Sequence, residues 1–537
     1  MTDAARRHDV LSRVVLAMVI VLTTAILASR LDFVPNWDGR FYADCIVDAA
    51  LRNLAPSSLR CADHVSHAYM LYAGAVQMLS PGSYPFILIA NAGLYLLACL
   101  AVHRLASLAF PGRDHDLERA FLTSLVAAQP AVLAAVVQPN IDLPMLPAFL
   151  WGCVFVLRRQ WIALIAVGIA LVATKETGVL LYTTLLVSFV LGAVIPYRRS
   201  ARRVALTCLR LAPLALPVVL FASYILYRVI VPQGPVIWAP GMSKRGMLLQ
   251  FVIPHADRRT LNYLVLIFVL GFAWVGTLFV SYDTAVAAYR AWRRTPPRAL
   301  NGARRRVVHF VAVLGLLTTY ALTRFSSYGN TRYLLPIFAI APLVLYASMV
   351  RLAIAKVPRV AILAALVGVT LISSVRTIDP VSRAVFGTFP VGDHHLLRMT
   401  RLTGECCGAG RDQLVYNLEF TTLSDLVSDV TASMANDSTT LFVPPVMRWE
   451  TVGALDSTTR RRTLRRDHRF TPNLFEPDTL SLLDSPPVGA IYLALPNGDV
   501  EAGARVLARK YQLGEPRRFW RGRYSLTAYP LTLRSRL

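Results

Sequence analysis

The residues of this chain that could do chemistry are charged side chains in short polar breaks between apolar runs. The first break, Pro35-Asn36-Trp37-Asp38-Gly39-Arg40-Phe41-Tyr42-Ala43-Asp44, carries two carboxylates. A carboxylate held near a lipid boundary is partly desolvated, gains basicity, and can take the proton of a reacting hydroxyl. Asp38 is the candidate for that role, with Asp44 a second acid beside it. The competing reading is a loop turn, because Asn, Asp and Gly together favour turns.

A second break, Gln138-Pro139-Asn140-Ile141-Asp142-Leu143-Pro144, sets one acid between two prolines. An Asp this close to apolar spans is costly unless paired or solvated, which points to function. It would also serve as the N-cap of the following helix. In Thr174-Lys175-Glu176-Thr177-Gly178 a cation and an acid interrupt an otherwise overlong apolar stretch. Either the two pair with each other or snorkel, or one of them faces a cavity and touches substrate. The break Arg324-Phe325-Ser326-Ser327-Tyr328-Gly329-Asn330-Thr331-Arg332-Tyr333 has two arginines and no acid. Guanidinium groups so placed suit a phosphate, which they grip through charge-assisted bonds, or else they snorkel. His64 and His67 lack a third convergent ligand, so zinc is not indicated. A divalent cation such as magnesium or manganese on Asp38 and Asp142, with Asp44 as a further acid, is chemically reasonable, because hard ions prefer carboxylate oxygens.

The elements that must position these residues are membrane helices. Of 537 residues 55% are hydrophobic and 16% charged, which excludes an ordinary soluble protein. The net charge of +25 comes from arginines between apolar runs, where they act as topology signals and not as a nucleic-acid surface. At about 17–25 apolar residues per span, eleven helices are expected at roughly 11–29, 85–105, 119–137, 143–157, 161–174, 178–195, 205–230, 260–281, 307–323, 333–350 and 359–375. The runs at 143–157 and 161–174 are nearer half-spans, suited to a protein-lined cavity. The first run has span length and no cleavage signature, so it reads as a retained helix.

The aromatic-rich segment His64–Ser80 is expected to lie on the outer surface as a juxtamembrane helix. The charge rule supports that placement. It puts Arg104, Arg113 and Arg119, then Arg158 and Arg159, then Arg198, Arg199, Arg202 and Arg203, then the run from Arg290 to Arg306, and Arg351, Lys356 and Arg359, all on the cytosolic side with the N-terminus. Were His64–Ser80 to span, every one of these clusters would lie outside.

After Ser374 the composition becomes that of a globular domain. Strands are expected at 413–420 and 439–446 around a helix at 422–434, followed by a second unit at 488–495, 500–511 and 523–533. The fold class expected is therefore a polytopic α-helical membrane protein, N-in and C-out, with a C-terminal extracytoplasmic α/β domain. Residues 1–375 form the membrane module, with its first external loop at 30–84, and 376–537 form the domain. The basic run at 460–466 reads as a solvated loop or as a contact to lipid phosphate or an acidic glycan. Seven cysteines are too few for a disulfide framework; Cys45 and Cys61 could pair across the first external loop, whereas a bond between the adjacent Cys406 and Cys407 would be strained.

An early acid in the first external loop, a surface helix, an acid in the second loop, Lys175-Glu176-Thr177-Gly178 and Arg332-Tyr333-Leu334-Leu335-Pro336 together resemble the GT-C superfamily of polyprenyl-phosphate-sugar-dependent glycosyltransferases. The nearest branch is the family 39-like one, which holds protein O-mannosyltransferases and the lipid A aminoarabinose transferase. The resemblance covers about residues 1–375. It implies an inner-membrane, multi-pass enzyme that moves a sugar, a hexosyl or pentosyl unit, from a lipid-linked donor to a hydroxyl on a glycan, lipid or protein, outside the cytosol and with inversion. It implies Asp38 as the base, Asp142 as the second-loop acid, and Lys175, Arg324 and Arg332 around the leaving phosphate. Asp44, His67 and Glu176 would line the substrate site. Where many relatives carry a His-Pro-Pro-Leu-like sequence this chain reads His67-Ala68-Tyr69-Met70, and it lacks the Asp-x-Asp pair of metal-dependent members. A transporter or flippase of lipid-linked glycans is the alternative; it calls for internal repeats or charges deep within spans, and the chain shows neither.

Overall fold

The computed structural model describes residues 3–29, 38–59, 65–194, 200–230, 273–293, 331–374, 379–387, 414–434, 439–443, 487–494 and 500–534 apart from 523, with a few single positions and pairs between them. Arg324, His64, the expected span at 307–323, the basic run at 460–466 and Cys406-Cys407 lie outside the described residues, as does the side chain of Asp38.

Among the described residues, four helices are long and apolar enough to cross a membrane: Val10–Ala28, Tyr84–Ala109, Thr331–Arg351 and Lys356–Ser374. Two bent pairs, Arg113–Ala127 with Pro130–Val137 (51°) and Ala201–Arg210 with Ala212–Tyr227 (54°), raise the number to six if each pair is one span. The break in the first pair falls at Gln129-Pro130, where proline lacks the N–H that would continue the ladder. The runs expected to be half-spans are short helices, Met145–Arg158 and Trp161–Val172. A third apolar helix runs Thr177–Val194. The span expected at 260–281 is described from Ala273 onward and continues to Trp292. The chain is a helical membrane protein whose described residues supply four to six candidate spans, together with three shorter apolar helices.

The His67–Gln77 helix is eleven residues long, too short to cross a membrane, and packs on its neighbours. A correction concerns the segment before it. Residues expected to form a loop are helical over Asp38–Leu51. Tyr42, Ala43, Ile46, Val47, Ala49 and Ala50 recur at three- and four-residue spacing and are buried, and this apolar stripe gives the helix its docking face. Cys45 and Cys61 are joined in a disulfide, with Cα atoms 5.6 Å apart.

The second correction lies in the C-terminal part. Of the strand expected at 413–420, residues 414–420 belong to the helix Leu414–Met434, and 413 lies outside the described residues. Beyond it a mixed sheet runs in the order 474–475, 440–442, 490–494, 524–533, 511–513, with 517–521 also paired to 524–533. Strand 440–442 is parallel to both its neighbours, and 490–494 is antiparallel to 524–533. Leu426, Val427 and Val430 of the long helix pack on one face with Leu441, Val443, Ile491 and Leu493. Leu507 of the helix Val500–Leu507 packs on the other with Phe442, Tyr492 and Tyr511. Helices on both faces make this an α/β layer arrangement.

Candidate functional site

Three sequence breaks meet at one end of the helix bundle. Tyr84–Ala109 begins at that end, where the Tyr84 hydroxyl donates to the carbonyl of Val137 at 2.8 Å. The loop after Val137 is pinned by an Asx turn: Asn140 Oδ1 accepts from the N–H groups of Asp142 (3.0 Å) and Leu143 (2.9 Å), while its Nδ2 donates to Gln138 O at 2.9 Å. The turn aims the Asp142 side chain into the protein, where the residue is 2% exposed.

Lys175 reaches it from the break between two apolar helices. Its Nζ donates to Asp142 Oδ1 at 2.6 Å. That break is sharp because Gly178 lies against the carbonyl of Leu171, where a Cβ would collide with backbone. Arg332, in the single helical turn Thr331–Leu334 that leads into Leu335–Arg351, places Nε 3.1 Å from Asp142 Oδ2 as an ion pair. The ring of Tyr333 lies under both cations, with Lys175 Nζ 4.1 Å and Arg332 Cζ 5.6 Å from its centroid. One carboxylate thus sits between two cations, a buried group with one net positive charge.

Asp142 is therefore not the cap of the following helix, whose N-cap is Pro144 without a side-chain bond. Lys175 and Glu176 do not pair with each other in the arrangement the structure shows. Lys175 turns to Asp142, and Glu176 Oε1 accepts the N–H of Val65 at 3.0 Å. Together with the bond from Ala68 N–H to Ala173 O (3.0 Å), this fastens the start of the His67–Gln77 helix beside Lys175. His67, the first residue of that helix, stands edge-on to Tyr224 with ring centroids 5.8 Å apart.

Asp38 opens the Asp38–Leu51 helix. Its neighbour Gly39 is buried against the second loop: a Cβ there would meet Gln138 Oε1 and lie 3.3 Å from Pro139 O. The backbone at Asp38–Gly39 thus rests on the loop that carries Asp142. Burial lowers the pKa of Arg40 below the ordinary guanidinium value, and the charge of Asp44, one turn further along, opposes that shift. Asp44 acts here as the electrostatic partner of Arg40.

Asp142 does not fit a divalent cation in this arrangement, because its two oxygens face an ammonium and a guanidinium. Among the described residues no three His, Cys, Asp or Glu side chains form a group able to hold a metal ion. Tyr333, Asn140 and Gln138 are the site residues that reading by residue type missed. Tyr333 had a signal in its place next to Arg332; the two amides had none.

No protein-family model and no curated protein matches the chain. Two solved structures are similar to it, both of ArnT from Cupriavidus metallidurans. The one in the apo state has 15% identity and a TM-score of 0.46, and the one bound to undecaprenyl phosphate has 13% and 0.47; each comparison covers 96% of this chain and 97% of that chain.

Proposed function

We propose that the chain is an inverting glycosyltransferase that moves a sugar from a polyprenyl-phosphate donor to an acceptor hydroxyl on the extracytoplasmic face. The observation that carries this reading is the convergence of Lys175 and Arg332 on Asp142. Two fixed cations sharing one carboxylate keep a net positive charge in a largely dry site, where a departing phosphate gains charge on its oxygens. Asp142 holds both cations in place, and Arg324 is the further cation proposed for the phosphate.

In the reaction the acceptor oxygen attacks the anomeric carbon as the bond from that carbon to the phosphate oxygen breaks. The bonding pair leaves on the phosphate and the hydroxyl proton passes to Asp38, which the contact of Gly39 with the Gln138–Pro139 loop brings to the same end of the bundle. The products are the glycosylated acceptor and polyprenyl phosphate. Residues 1–375 form the catalytic module and 376–537 an extracytoplasmic domain. The Cys45–Cys61 bond supports an oxidising compartment for the site, as does the placement of Arg158, Arg351 and Arg359 at the opposite helix ends.

Binding of undecaprenyl phosphate to the purified full chain tests the reading. Lys175→Ala and Arg332→Ala should each weaken it about 10- to 100-fold, the equivalent of a charge-assisted hydrogen bond. Unchanged affinity in both variants would refute the phosphate role.

A further inference from the structure

Gln138 closes the helix Pro130–Val137, and its side chain is held from two directions. On one side its Oε1 lies beneath Gly39, next to the proposed base. On the other its Nε2 donates to Asn417 Oδ1 at 2.8 Å, a buried bond between residues 279 apart in sequence. Asn417 is wholly buried. It belongs to the helix Leu414–Met434, whose Leu414 enters the core of the membrane bundle and whose Leu426, Val427 and Val430 pack on the C-terminal sheet. Arg521 of the sheet reinforces that helix through Asp425 at 2.8 Å. A continuous set of packed groups therefore runs from the sheet through one helix and one amide pair to the backbone beside Asp38.

From this we infer that Asn417 is a positioning residue for the transfer reaction: by fixing the Gln138 amide it sets where the start of the Asp38–Leu51 helix sits relative to Asp142, Lys175 and Arg332. The inference rests on the function proposed above in giving Asp38 a role, although the coupling itself is a physical property of the fold. The physical reason is that a buried amide donor without its acceptor rearranges to find another. Gln138 has no room to swing toward Gly39 without displacing that backbone. Small displacements at reacting groups cost turnover more than binding. The C-terminal domain is then part of the active-site scaffold and not a tethered appendage.

The test uses the purified full-length chain and two readouts. The first, independent of activity, is hydrogen exchange of the backbone amides at 38–44. The second is turnover and donor KM with a polyprenyl-phosphate sugar. Asn417→Ala should speed exchange at 38–44 and lower kcat about tenfold to a hundredfold, with donor KM within about twofold. Gly39→Ala, which pushes on the same amide from the opposite side, should have the same effect. The exchanged pair Gln138→Asn with Asn417→Gln keeps one amide bond of the same total length and should restore both readouts. Asn417→Ser serves where the alanine variant folds poorly, with the same direction expected. Unchanged exchange at 38–44 in the Asn417 variants would overturn the coupling whatever the activity. Faster exchange with no loss of kcat would overturn the positioning role. Faster exchange at 38–44 in the Asn417 variants, together with a wild-type chain that transfers no sugar, would instead refute the proposed function and leave the coupling standing.

Discussion

Lys175 Nζ stands 2.6 Å from Asp142 Oδ1, and Arg332 holds the other oxygen of the same carboxylate. With both side chains of the first pair almost fully buried, neither cation is screened effectively by water, and the acid is what allows the two positive groups to lie close together. Asp142→Ala should therefore destabilise the protein by about 3–5 kcal/mol, the cost of leaving buried charge uncompensated. Thermal unfolding in detergent measures this. Arg332→Lys should not be neutral, because a point ammonium replaces a planar group that pairs with the acid and faces the Tyr333 ring.

The disulfide between Cys45 and Cys61 closes a loop with a sequence separation of 16. Loop-closure entropy for that length gives about 3 kcal/mol of stabilisation. Replacing both cysteines with serine should lower stability by about that amount, and reduction of the wild-type chain should have a similar effect. If the loop faces an oxidising compartment, protein from the native membrane should resist thiol alkylation at both positions until it is reduced.

Tyr511 in the C-terminal sheet is buried, and its hydroxyl donates to Pro487 O at 2.9 Å. Burial disfavours the phenolate and pushes its pKa up to about 12 from the ordinary 10. The folded state holds this proton more tightly than the unfolded one, so its contribution is complete below about pH 10 and is lost as pH rises toward about 12. Tyr511→Phe should cost about 0.5–1.5 kcal/mol at neutral pH through the lost hydrogen bond. It should also flatten the alkaline fall in melting temperature over that pH range.

Most of the helical framework could be read from apolar runs. Tyr84–Ala109, Thr177–Val194, Lys356–Ser374 and the two short helices between Met145 and Val172 lie within a few residues of their expected bounds, because span length and flanking arginines follow from bilayer physics. The helix at Asp38–Leu51 was missed because its opening Asn-Trp-Asp-Gly has turn chemistry, although the pattern Tyr42, Ile46, Ala50 carried the periodic signal. Residues 414–420 read as part of a strand because Val415, Tyr416 and Phe420 favour strands locally, whereas one helix runs through them from Leu414 in the bundle core to Leu426, Val427 and Val430 on the sheet. At the site, residue type alone marked Asp142, Lys175 and Arg332 as costly charges beside apolar spans. Their mutual pairing, and the contact of Gln138 with Asn417, depend on tertiary proximity that spacing does not encode.

Asp38→Asn tests the proposed chemistry most directly, since it keeps the side-chain volume and removes the base. In a single-turnover assay with a polyprenyl-phosphate sugar donor and excess acceptor, the variant should insert and bind undecaprenyl phosphate as wild type does. Its rate of sugar transfer should fall about 10²- to 10⁴-fold. Transfer at a near wild-type rate by a folded Asp38→Asn protein would contradict the assignment of Asp38 as the base.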